Sequence, residues 1–77
     1  MRDANSQRAL IAFGAALRAE RERQGMSRID LSEASGLHQA TIARIERGRC
    51  DARWNTLLKL RRALGSLASV FDASDDT

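Results

Sequence analysis

The side chains able to do chemistry in this 77-residue sequence are mostly guanidinium groups. Twelve arginines and one lysine stand beside ten carboxylates, with a single histidine, His38, and a single cysteine, Cys50. Arginine is the side chain best matched to phosphate, because its planar fork presents paired N–H donors. One cysteine excludes an intrachain disulfide and a cysteine-based zinc site, and one histidine leaves only carboxylates for any metal. No second carboxylate accompanies Glu46 at a spacing suited to acid–base work, no glycine-rich loop could cradle a nucleotide, and no nucleophile lies beside a base. The sequence therefore reads as a non-enzyme without cofactor or metal. The charge is unevenly placed. All thirteen basic residues fall within residues 1–65 with seven acids, whereas 66–77 hold three aspartates and no base.

Positioning those guanidiniums falls to helices. Proline is absent, only three residues are aromatic, and alanine, leucine and arginine dominate, which predicts an all-α chain of four to five short helices. At 8.5 kDa the chain makes one small domain with a thin stability margin. Leu10, Phe13, Gly14, Leu17 and Arg21 recur at three- and four-residue spacing, describing an amphipathic helix that Ser6 or Asn5 could cap, running to about Gln24 before Gly25. Ser27 followed by Asp30 reads as a capping box opening a second helix, with Leu31 and Ala34 facing inward and Gly36 ending it. A third helix starts at His38 or Gln39 and carries Ile42 and Ile45, meeting the second at a steep angle across Gly36-Leu37. After a polar loop, Asp51 is placed to cap a fourth helix bearing Trp54, Leu57, Leu58, Leu60 and Leu64, which Gly65 stops. Ser66 to Phe71 could add a fifth. The expected organisation is a flexible start (1–6), one domain (7–71) and an acidic disordered tail (72–77). With no apolar run of membrane length and no signal-peptide core, the expected location is the cytoplasm. Small, basic and helical, the chain points towards nucleic acid.

The run Leu17-Arg18-Ala19-Glu20-Arg21-Glu22, then Gly25-Met26-Ser27 and Leu31, then Gly36-Leu37 and Thr41-Ile42-Ala43-Arg44-Ile45-Glu46-Arg47-Gly48, resembles the Cro/cI-type (XRE-like) helix-turn-helix family. Thr56-Leu57-Leu58-Lys59-Leu60 and Ala63-Leu64-Gly65 continue the match, which covers about Phe13 to Gly65. The resemblance implies a lambda-repressor-like DNA-binding domain whose helix-turn-helix spans about 28–47, with the third helix in the major groove of double-stranded DNA. It puts base reading on Gln39, Ala40, Thr41 and Arg44. Glutamine can pair bidentately with adenine, arginine with guanine, and an alanine methyl can touch thymine. Phosphates would fall to Arg28, His38, Arg47, Arg49 and Arg53. At residue 28 many relatives have glutamine, so Arg28 is a departure that keeps a phosphate contact without the amide geometry. Glu46 matches a family glutamate that pairs with an arginine of the first helix, here Arg21, as a structural salt bridge. Two further departures concern packing. Ala52-Arg53 stand where relatives often have proline and a hydroxyl residue, and Ser32 replaces an alanine, so its hydroxyl must find a backbone partner.

One helix-turn-helix reads few base pairs, so useful specificity predicts a homodimeric regulator, a repressor, on a palindromic operator. Trp54, Leu67, Val70 and Phe71 are the candidate dimer interface, and packing onto the domain's own core is the competing reading for them. Bound to DNA, the protein would be nucleoid-associated. No small-molecule ligand and no membrane partner is expected. Two alternatives stand beside this reading: an antitoxin-like component that binds a protein toxin and represses its own operon, or an interaction module that kept the fold without DNA binding. Cys50, in a basic loop, reads as an incidental surface thiol more readily than a redox switch.

Overall fold

A computed structural model of the chain describes residues 4–49 and 53–65, which form four helices and no strand. Cys50, Asp51, the 66–71 segment proposed as a fifth helix (with Leu67, Val70 and Phe71) and the 72–77 tail lie outside the described residues.

Helix α1 spans Ala4–Arg23. Asn5 and Ser6, expected to precede the helix as its cap, stand within its span. Helix α2 spans Arg28–Ser35, and its capping box is formed in both directions. Ser27 Oγ accepts from the Asp30 amide at 3.0 Å, and the Asp30 carboxylate accepts from the Ser27 amide at 2.9 Å. Gly36 closes the helix in the left-handed conformation, at φ 77°, which a residue with a Cβ adopts only under strain. Helix α3 spans Gln39–Glu46, with His38 at its N-cap making no side-chain capping bond. The turn between α2 and α3 is pinned at Leu37. Its amide donates to Ser35 Oγ at 3.1 Å, and its carbonyl accepts from Ser32 Oγ at 2.5 Å. The hydroxyl of Ser32 thus finds its backbone partner across the turn, outside its own helix.

Helix α4 spans Trp54–Leu64. Its N-cap position is held by Arg53, whose side chain makes no capping bond, so the cap expected from Asp51 is displaced by two residues. An arginine has no acceptor to offer the first amides of a helix. At the other end, Gln24 Nε2 donates to the Leu64 carbonyl at 2.8 Å, tying the end of α1 to the end of α4.

Helix α1 packs on α3, and α2 packs on both α3 and α4. The core between them is Leu17, Leu31, Leu37, Ile42, Ile45, Leu60 and Leu64, with Phe13, Ala16, Met26 and Ala63 against it. Each fully buried aliphatic side chain contributes about 1.5–3 kcal/mol, so these few positions carry most of a small domain's hydrophobic stabilisation. Ala34, expected to face inward beside Leu31, is exposed. Helices α1 and α3 meet backbone to backbone. A Cβ on Gly14 would lie 2.2 Å from the Ile45 carbonyl oxygen and 2.6 Å from that of Glu46. Just beyond α3, a Cβ on Gly48 would lie 2.7 Å from Ile11 Cα. Glycine at 14 and 48 is what lets the long first helix seat the end of α3.

Candidate nucleic-acid interface

The eight residues of α3 divide by helical period. Ile42, Ile45 and Glu46 are buried, and Gln39, Ala40 and Arg44 are exposed. Arg47, the C-cap residue, extends that exposed arc and is itself exposed. Thr41 is half-buried, less exposed than the other three residues expected to read bases. The result is a short helix anchored by two isoleucines, with an amide, a methyl and guanidiniums facing out. Its N-terminal end carries the positive pole of the helix dipole and is preceded by the exposed His38.

Around this face lie the other cations expected to meet phosphate. Arg49 and Arg53 are exposed, and, like Arg44 and Arg47, they have no carboxylate partner among the described residues. Arg47, Gly48 and Arg49 also form one wall of an open cleft whose other wall is Gln7 and Ile11 of α1. Gln7 was not singled out from sequence. The signal for it is indirect: Gly48 sits on Ile11, and Gln7 lies one helical turn before Ile11.

Arg28 is placed differently from the other phosphate candidates. Its Nε donates to Glu46 Oε1 at 3.2 Å while the side chain stays 40% exposed. Glu46 itself is buried, its side chain 1% exposed, and it also receives Arg21 through Nε at 2.7 Å and Nη2 at 3.2 Å. Arg21 Nη1 donates to the Met26 carbonyl at 2.8 Å. The Arg21–Glu46 bridge expected from sequence is therefore formed and bidentate. The hydrogen bond and charge of Glu46 raise the Arg21 pKa above its ordinary value, against the opposing effect of burial. No buried side-chain nitrogen or oxygen among the described residues lacks a partner. Among them, too, no cluster of His, Cys, Asp or Glu could hold a metal ion, and no helix is long and apolar enough to cross a membrane.

Comparison with known proteins agrees with this geometry. Residues 12–76 match a protein family described as a helix-turn-helix domain. An uncharacterized HTH-type transcriptional regulator of Haemophilus influenzae is 39% identical over 70 residues, covering 91% of this chain and 68% of that protein. A second uncharacterized HTH-type regulator, y4dL of Sinorhizobium fredii, is 48% identical over 48 residues, 62% of this chain but only 24% of its own length. Among solved structures, the restriction–modification controller protein C.AhdI of Aeromonas hydrophila aligns with TM-score 0.76 at 33% identity, over 80% of this chain and 96% of that one. The clp gene regulator ClgR of C. glutamicum aligns with TM-score 0.79 at 32% identity, over 87% and 88%. This is not an enzyme family. With its capped α2, glycine turn, anchored α3 and matching relatives, the chain belongs to the helix-turn-helix family of the Cro/cI type and carries the DNA-binding domain of a transcriptional regulator.

Proposed function

We propose that the chain binds double-stranded DNA sequence-specifically, as a homodimer on a palindromic operator, and represses transcription there. The observation that carries this reading is the exposed arc of α3. Gln39, Ala40 and Arg44 face outward together, flanked by arginines at 47, 49 and 53 without carboxylate partners among the described residues. Gln39 and Arg44 supply the two side-chain geometries that pair bidentately with purines in the major groove, and Ala40 between them suits a thymine methyl. Arg47, Arg49, Arg53 and His38 hold the flanking backbone, with Gln7 across the cleft from Arg47 and Arg49 as an added contact. Arg28 adds charge from the first residue of α2. Acting on DNA places the protein in the cytoplasm with the nucleoid.

Two copies are expected because one recognition helix spans only a few base pairs, and each mismatch costs about 1–3 kcal/mol. Symmetric half-sites about one helical turn apart multiply that discrimination. Likeness to a restriction–modification controller and to a clp gene regulator supports a regulator of this kind without choosing its target genes.

The test is a fluorescence-anisotropy titration of DNA from upstream of the protein's own gene against a scrambled duplex, at two salt concentrations. A preference for the native duplex that persists at the higher salt, with two chains per site, is the expected result. Arg44→Ala should relax preference at one base position, whereas Arg49→Ala should weaken all sequences alike and flatten the salt dependence by about one unit. Equal, salt-labile binding to both duplexes would reduce the site to a basic surface. No binding at all would move the function to a protein partner such as a toxin.

A further inference from the structure

We propose that Arg28 is a positioning residue for sequence discrimination: by donating to Glu46 it fixes the recognition helix from α2, and so sets the angle at which α3 meets the bases. The inference rests on the DNA-binding reading above and assigns Arg28 a role beyond a phosphate contact. Three donors converge on one buried carboxylate. Arg21 Nε lies 2.7 Å from Oε2, Arg21 Nη2 3.2 Å from Oε1, and Arg28 Nε 3.2 Å from the same Oε1. Arg21 belongs to α1, Arg28 is the first residue of α2, and Glu46 is the last residue of α3. One side chain thereby joins three helices at the end of the reading element.

The second arginine adds something the first cannot. A bidentate guanidinium–carboxylate pair fixes the distance and in-plane alignment of the two groups, and it restrains tilting out of that plane, about the edge where they meet, least. A donor arriving from another helix restrains that tilting. Base reading is intolerant of it, since a recognition constellation must be held within about 0.5 Å and 10–20°. The two roles of Arg28 also sit on different atoms. Nε holds Glu46, while the two terminal nitrogens have no protein partner among the described residues and the side chain is 40% exposed. One carboxylate against two guanidiniums leaves one positive charge over. Arg21 is spent on Glu46 and the Met26 carbonyl, so the surplus emerges at Arg28.

Because Nε makes the bond, two substitutions separate the roles. Glutamine carries Nε2 at the same number of bonds from the backbone as arginine Nε, so Arg28→Gln keeps a donor for Glu46 and removes the charge. Arg28→Met keeps length and removes both. In anisotropy titrations, Arg28→Met should lower the ratio of native to scrambled DNA affinity by roughly fivefold or more. Arg28→Gln should hold that ratio near the wild-type value while flattening the salt dependence by about one unit. In the free protein, amide chemical shifts of Ile42 to Arg47 should move in Arg28→Met and stay in place in Arg28→Gln, a readout that needs no DNA. Arg28 is half-exposed, so both variants are expected to fold, which circular dichroism checks. If the two variants lose affinity equally on both duplexes and keep the wild-type ratio, Arg28 is a phosphate contact only and the inference is overturned. A wild-type chain that does not discriminate between the duplexes removes the DNA reading and this inference with it.

Discussion

Removing the carboxylate of Glu46 would strand Arg21, a guanidinium 7% exposed whose Nε and both terminal nitrogens are bonded within the protein. Breaking a buried pair from one side leaves an uncompensated charge, so Glu46→Ala is expected to cost about 3–5 kcal/mol, read by urea denaturation. Arg28→Met, which removes only the half-exposed partner, should cost well under that. Gly14 predicts a loss of another kind. A Cβ there would sit 2.2 Å from a backbone oxygen that cannot rotate away, so Gly14→Ala must push α1 off α3. Overpacking of this sort costs about 1–3 kcal/mol, against the gain of up to about 1 kcal/mol that alanine gives in an ordinary helix interior. A Gly14→Ala chain as stable as wild type would mean the two backbones are not in contact. The pairing of Arg21 with Glu46 was legible from the family pattern. The approach at Gly14 was not, because a glycine inside an apolar stripe reads as one more small residue until the partner helix is seen. The bond from Arg28 to Glu46 was hidden for the same reason: the two residues are 18 apart and meet only through the angle of the turn.

The elements differ in how their ends are held, and α2 has the best-made start. The Ser27 amide donates to the Asp30 carboxylate, and this backbone hydrogen bond, as the larger cause, with the Ser27 side chain beside it holds the Asp30 pKa below the ordinary value of 3.8. A depressed carboxylate contributes stability that is present above its unfolded pKa and lost as pH falls through the folded one. The difference in stability between wild type and Asp30→Asn should therefore be widest above about pH 4 and shrink on acidification, as followed by thermal melts across pH. A constant difference from pH 7 to pH 2 would show that the carboxylate charge plays no part in the cap. This box was readable in Ser27 and Asp30 because capping is local chemistry between residues three apart. The start of α4 was misread for the converse reason. Asp51 is a good cap by type, yet α4 begins at Trp54 with Arg53 in the cap position. Where a helix starts depends on which turn of it the core can bury, and Leu60 and Leu64 are the α4 residues seated there. Local propensity at Asp51 does not decide that.

At the scale of the whole molecule the open question is what covers Trp54. The chain has one tryptophan, and it is 68% exposed at the first turn of α4, with Leu58, one turn on, half-buried and Arg61 and Arg62 exposed further along the same side. A large aromatic ring left in water forfeits burial that association could supply, and aromatic and arginine side chains are favoured at the centres of protein interfaces. In the homodimeric reading, α4 supplies part of the contact between copies. Intrinsic fluorescence then reports on this position alone, since no other tryptophan contributes. Raising the protein concentration without DNA should shift the emission to shorter wavelength as the indole leaves water. The concentration midpoint should match that of dimer formation measured by sedimentation, and Trp54→Ala should move it higher. Arg44→Ala, which lies on the reading face of α3, should leave the midpoint where it is. An emission that responds only to added DNA would place Trp54 against the nucleic acid and require the dimer contact to be found elsewhere.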